Sequence, residues 1–169
     1  MTASLTAMFG YQAWANAELF ACLERLDAAV DQPAVREMLR LVDHNFVVAD
    51  IFAAHLAGTG HAYATDGRAE PPPLPDLRAA VAASDRWFLD YVDRVSPADL
   101  SQAVAFTFTD GDAGRMTRAE MLTHVVLHGG YHRGEVGRIL RQLAVTPPWD
   151  TFAVHLHRAE PARRLRVAG

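Results

Sequence analysis

The chain has 169 residues, half of them hydrophobic, and a formal net charge of -4. That length suits one domain with a substantial core, so the reading is a single domain over 1–169, with 158–169 as a loose tail. A nucleic-acid binder carries a basic face or stripe, and no such surplus appears before the short arginine-rich end, so no nucleic-acid partner is expected.

The N-terminal segment lacks a basic region followed by a long apolar one, and no apolar run reaches the roughly 20 residues that span a bilayer. The expected location is the cytoplasm, with no membrane partner. From Ser4 to about Leu26, the residues Leu5, Met8, Phe9, Tyr11, Trp14, Leu19, Phe20 and Leu23 recur at helical spacing, which predicts a long amphipathic helix. Trp14 reads as a core anchor. Asn16 is a polar amide on a largely apolar helix and needs a partner. Cys22 is the only cysteine, so an intramolecular disulfide is excluded and a small buried hydrophobe is its natural role.

Asp31-Gln32-Pro33 is a start signal for a second helix, which runs to about Leu56 and stops at Gly58. His44 shares a stripe with Leu41, Val48 and Ile51 and faces the core or its edge. His55 lies about 16 Å further along the axis, too far to share an ion with His44, and is expected half exposed near the bundle end. Asp43 and Asp50 fall off the His44 stripe and read as surface charges or partners for arginines, Asp50 also as a group that orients the site. Between Gly58 and Pro75 the glycines and prolines exclude regular helix. This long connection permits parallel neighbouring helices in place of a simple hairpin. His61, within it, reads as solvent-exposed.

Asp76 to about Val95 resumes helical spacing and contains no histidine. A short capped turn at Ser96-Pro97-Ala98-Asp99 precedes Val104 to Gly111, where Phe106 and Phe108 alternate with threonines before Asp110-Gly111. That pattern predicts a small β-hairpin covering one end of the bundle. Thr117-Arg-Ala-Glu120 is a capping-box pattern that starts the fourth helix, which continues to about Leu143. The segment Pro147 to His157 reads as a short helix or strand laid across the site, with His155 and His157 spaced for one face of a strand. The fold class is all-α, four helices in a bundle with a small β-hairpin between the third and fourth.

The fourth helix carries His124, His128 and His132, spaced by four and therefore on one side. His124 and His132 are about 12 Å apart along the axis, so one compact site takes two adjacent members. Met121, Val125, Val136, Ile139 and Leu143 define the buried stripe. His132 falls within it, His128 beside it and His124 further out, which selects His128 and His132 as the inward pair. His44 supplies a third imidazole from the second helix. Three neutral imidazoles with one open position are the donor set of catalytic zinc sites, and nickel and iron also suit imidazole. Such an ion can lower the pKa of water or activate an added thiol or carbonyl oxygen. Glu135, one turn beyond His132, is a fourth ligand, a general base or an acceptor for an imidazole N–H. Arg133 lies off the stripe and pairs with an acid on a neighbouring helix or binds an anionic substrate.

Taken in order, Tyr11-x-x-Trp14-Ala-Asn16, His44 with Asp50, Asp110-Gly111 in a hairpin, and His124-x-x-x-His128-x-x-x-His132-Arg133-Gly134 resemble the DinB/YfiT-like metalloenzymes over nearly the whole chain. The resemblance implies a four-helix bundle of up-down-down-up connectivity, a divalent metal on His44, His128 and His132, and a homodimer. It also implies damage-inducible expression and, among relatives, thiol-dependent transferases and isomerases that use bacillithiol, mycothiol or glutathione. Glu135 stands where that family often has Gln, and an acid beside the ion lowers the site's net positive charge. The leading expectation is a metal-dependent enzyme acting on a small molecule, either a thiol S-transferase or a small hydrolase. The alternatives are a structural metal that ties two helices together, and histidines that serve only as core residues.

Overall fold

The computed structural model describes residues 2–27 and 31–164, with side chains from residue 4 onward. The elements are α1 (Thr2–Leu23), α2 (Gln32–Ala57), α3 (Leu74–Arg94), α4 (Pro97–Leu100), β1 (Ala103–Thr107), β2 (Ala113–Thr117), α5 (Arg118–Gln142) and α6 (Phe152–Ala159), then a 3-10 turn at Pro161–Arg163. Four long helices and a two-stranded hairpin bear out the all-α class. α1 ends at Leu23, short of Leu26. α3 begins at Leu74, because Pro75 sits in its first turn, where its missing N–H costs nothing.

Contacts between helices set the connectivity. α1 and α3 are antiparallel: Arg78 pairs with Glu24 at one end, Asn16 bonds Asp85 in the middle, and Phe9 stacks on Phe88 beyond it. α2 and α5 are also antiparallel, with His44 beside His132 and Phe52 beside His124. α1 and α5 run the same way: Leu5 and Phe9 share a cluster with Met121 and Val125, and Leu19 and Phe20 share one with Val136 and Leu140. The same clusters place Phe52 and Leu56 with Phe88 and Val92, and Met38 and Val42 with Leu77 and Val81, so α2 and α3 are parallel. This is the up-down-down-up bundle, and the connection from Gly58 to Pro73 makes its crossover. Gly58 ends α2 in the left-handed conformation, φ 70°, which glycine adopts without strain.

The core is two apolar clusters, one at each end, with a polar layer between them. In that layer Gln12, Asn16, Asp85 and Arg133 are all buried. Asn16 Nδ2 donates to both oxygens of Asp85 at 3.0 Å, Arg133 Nη1 donates to Asn16 Oδ1 at 3.2 Å, and Arg133 Nε donates to Asp150 Oδ2 at 2.7 Å. Tyr11 Oη donates to the other Asp150 oxygen. Asn16 thus has the partner its position requires. Arg133 corrects the sequence reading: it lies inside the buried stripe, its side chain 4% exposed, and the acid it meets is on the segment after α5. Gly129 makes room for it, since a Cβ there would lie 3.0 Å from Arg133 Nη1 and Gln12 Oε1.

α5 is started by the expected capping box, Thr117 Oγ1 accepting from Glu120 N while Glu120 Oε2 accepts from Thr117 N. Arg118 then donates to the Leu56 carbonyl and the Tyr91 hydroxyl, joining that end of α5 to α2 and α3. The hairpin pairs Ala103 with Thr117 through Thr107 with Ala113, and its turn passes through Gly111 at φ 96°. Phe106 is buried against Phe52 and His55, whereas Phe108 lies beyond β1 and is 46% exposed. Gly114, opposite Phe106, is required because a Cβ would come within 2.7 Å of both phenylalanine rings.

The segment after α5 folds as helix, not strand, and packs on α1 through Tyr11 with Phe152 and Trp14 with His155. It does not cross the histidines. Trp14 is accordingly a half-buried docking residue for α6 and Arg158, not a core anchor. Regular structure extends to Arg163, into the expected loose tail; residues 165–169 of that tail lie outside the described residues. No described helix is long and apolar enough to cross a membrane.

Two α5 glycines separate packing from propensity. Gly134→Ala, whose Cβ meets nothing within 4 Å, is expected to stabilise the fold by up to about 1 kcal/mol. Gly129→Ala gains the same propensity but pushes on two buried side chains, so its urea midpoint should fall below wild type. Equal gains in both variants would refute the close approach at Gly129.

Candidate metal centre

His44 from α2 and His128 and His132 from α5 meet at one seam. One nitrogen from each lies within 4.8 Å of the other two. The rings pack edge to face, with centroids 4.7 Å apart for His44 and His132 and 4.4 Å for His128 and His132. Glu135 and His124 are not in this cluster of ligand atoms.

Each of the three imidazoles has its Nδ1 committed to an acceptor. His44 Nδ1 donates to the backbone carbonyl of Asp66 at 2.7 Å, His128 Nδ1 to Asn45 Oδ1 at 3.3 Å, and His132 Nδ1 to Glu135 Oε2 at 2.7 Å. Those bonds select the tautomer with a proton on Nδ1 and a lone pair on Nε2. The Nε2 atoms of His128 and His132 then face each other at 3.1 Å with no proton between them. Two facing lone pairs at that distance repel unless a cation sits beside them. A tetrahedral ion with M–N bonds of about 2.0–2.1 Å puts its ligand nitrogens about 3.3 Å apart, which matches. A proton is a poor substitute, because burial pushes the His128 imidazole down to about 3, and the His132, His44 and His124 rings add to the effect. Burial also lowers His132, partly offset by Glu135.

The support for His44 comes from the crossover. Asp43, next to it, is 2% exposed at its side chain and accepts from the backbone N–H of Arg68 at 3.2 Å, with the Arg68 guanidinium 3.3 Å away. Asp43 is therefore a buried clamp on the loop that carries Asp66: the expected pairing with an arginine is found, the expected surface position is not. Asp50 bonds the Tyr63 hydroxyl and does not touch the histidines. Asn45 and the Asp66 carbonyl were missed. Asn45 had a signal in being a polar amide beside His44, but a backbone carbonyl on an irregular loop has none.

A cavity of about 510 Å³ opens on His44 and His128. Val48, Ile51, Phe52, Phe106, Phe108 and Met116 give it apolar walls, with Thr107, Thr109, Asp66 and Asp110 at its polar edge. His124 lies between Phe52 and His128, its ring 4.7 Å from the first and 5.3 Å from the second, and burial lowers its pKa. It is a neutral wall of the cavity. His55 is half-buried there, with its ring 5.3 Å from that of His61. His61 is partly buried, not solvent-exposed, because the crossover folds back against α2. His155 and His157 are on α6, away from the cluster.

The family model described as the DinB family matches residues 1–164. No curated protein matches the chain.

The buried imidazoles make metal-free stability depend on pH. An unfolded His128 takes a proton near 6.5 and the folded one only near 3, so between those values the unfolded state binds more protons. Stability should therefore fall as pH falls from 7 to 4. Asp85 acts the other way, since burial holds its pKa up to about 6 and the folded state keeps that proton as pH rises above 3.8. Its effect is common to wild type and His128→Asn, so urea midpoints in chelator should drop more for wild type. Parallel profiles would contradict a buried neutral His128.

Proposed function

Since this chain belongs to the DinB family, we propose that it is a metal-dependent enzyme using His44, His128 and His132 as ligands to a divalent ion, zinc first among them, with nickel and iron as alternatives. The observation that carries this reading is the set of three Nδ1 hydrogen bonds, which leaves the Nε2 lone pairs free to converge. The donor set fits such an ion: three imidazole nitrogens lie within 4.8 Å of one another. The cavity beside them supports a catalytic over a structural ion. When bound, the ion supplies Lewis acidity toward a thiol, a water or a carbonyl oxygen.

The chain's own groups hold the ligands and shape the space. Glu135 fixes His132 from the side of the ring away from Nε2, so it is a positioning residue and is not at hand as a base for the substrate. With that carboxylate engaged, the site favours a nucleophile that loses its proton readily, and a low-molecular-weight thiol does so more readily than water. We therefore place a thiol-dependent S-transferase ahead of a small hydrolase. The apolar walls suit an electrophile with an apolar body, while His124 and Phe52 keep water from one side of the ligands. A homodimer is part of the proposal, and the exposed Leu127 and Tyr131, one turn apart on α5, support a shared face.

Purified protein is expected to carry one divalent ion per chain by elemental analysis, and His128→Ala to lose it. Glu135→Ala should weaken metal binding roughly 10–100-fold while leaving the fold intact. Metal-loaded protein should consume glutathione, bacillithiol or mycothiol in the presence of an aryl halide, and His44→Ala should not. Full activity in metal-free protein would refute the reading.

A further inference from the structure

We propose that the cleft on the opposite side of α5 from the histidines is a second small-molecule site, one that takes a carboxylic acid with a compact apolar body. Gly130, Arg133, Gly134 and Gly137 lie roughly half a turn around the helix from His128 and His132. They line a cleft of about 460 Å³ closed on its other side by the 146–151 segment. This volume is in the range of small-molecule sites.

The donor is Arg133. Its side chain is 4% exposed, Nε is taken by Asp150 and Nη1 by Asn16, but Nη2 is buried without a hydrogen-bond partner. A Cβ on Gly130, which lines the cleft, would lie 4.0 Å from Nη2, so the unpaired end of the guanidinium sits just behind the cleft wall. Asp150 already accepts at both oxygens, one from Arg133 Nε and one from Tyr11, and the buried Gln12 Oε1 nearby accepts no hydrogen bond from Nη2. A buried guanidinium with idle donors is costly, and an incoming acceptor would remove the deficit.

Charge and shape specify the acceptor. Arg133 and Arg141 line the cleft against a single acid, Asp150, and the excess positive charge favours an anion. A phosphate would need several more donors, and the backbone N–H groups in the middle of α5 are committed to the helix, which leaves a monoanionic carboxylate. The three glycines leave the floor bare. Leu19, Pro147 and Pro148 give apolar walls, and Trp149, 71% exposed at the rim, offers an indole to cover a bound apolar body.

Phenylacetate and its neutral counterpart 2-phenylethanol, titrated by calorimetry with and without EDTA, test this site. Phenylacetate is expected to bind saturably, at least tenfold tighter than the alcohol, and equally in both buffers. Gly134→Leu, whose Cβ position is open, fills the cleft without displacing core groups and should weaken phenylacetate at least tenfold while metal content stays unchanged. Trp149→Ala, an exposed position, should weaken it as well and serves if the leucine variant does not fold. Binding lost in EDTA would assign phenylacetate to the histidine centre and overturn the proposal. So would equal binding of the alcohol, binding untouched in both variants, or no binding at all.

Discussion

The rotation of α5 about its own axis is the constraint on which the rest of the structure depends. One side of that helix must present His128 and His132 to α2, and another must bury the Arg133 guanidinium against α1. A buried cation without partners would cost several kcal/mol. The bonds from Arg133 to Asp150 and Asn16 therefore hold the helix at one angular setting. Asp85, which accepts from the other end of the Asn16 amide, extends the same restraint to α3. The polar layer interrupts an otherwise apolar core at the level of the histidines. Its cost in burial is offset by the single arrangement it enforces.

The crossover supplies the second half of the site. A short turn after α2 would have placed α3 antiparallel to it. The sixteen residues from Gly58 to Pro73 instead allow the two helices to run together, and the loop lies along α2. Asp43 clamps it through Arg68, and the loop returns a carbonyl to His44. Connectivity and ligand orientation thus have a common origin. The His44 tautomer is decided by a backbone atom 22 residues away, and those of His128 and His132 by side chains on α2 and α5.

Much of this was legible in the sequence. Helical periodicity gave the four long helices to within three residues at their ends, Thr117 and Glu120 gave the start of α5, and the alternation around Phe106 gave the hairpin. The spacing of His124, His128 and His132, with His44 at the right height on a second helix, brought forward the three residues that the fold gathers. Arg133 was misplaced because the stripe was drawn through Met121, Val125, Val136, Ile139 and Leu143, whereas the buried face extends further round through Leu122, Val126, Gly129 and Leu140. Only the three-dimensional structure shows that Gly129 clears space for it and that Asp150 returns to meet it. The burial of Asp43, the role of Asn45 and the setting of His61 escaped the sequence for one shared reason: their environment is set by where an irregular loop lies, and no periodicity encodes that. The path of α6 was open for the same reason, since its docking depends on Tyr11 and Trp14, which would serve equally well in a core.

Extended X-ray absorption at the metal edge of zinc-loaded protein tests the central claim most directly. The account predicts three imidazole nitrogens at about 2.0 Å and one further light donor that changes when a thiol is added, the change appearing as a sulfur shell near 2.3 Å. A closed shell with a fourth imidazole or the Glu135 carboxylate, unaltered by thiol, would contradict an open three-histidine centre.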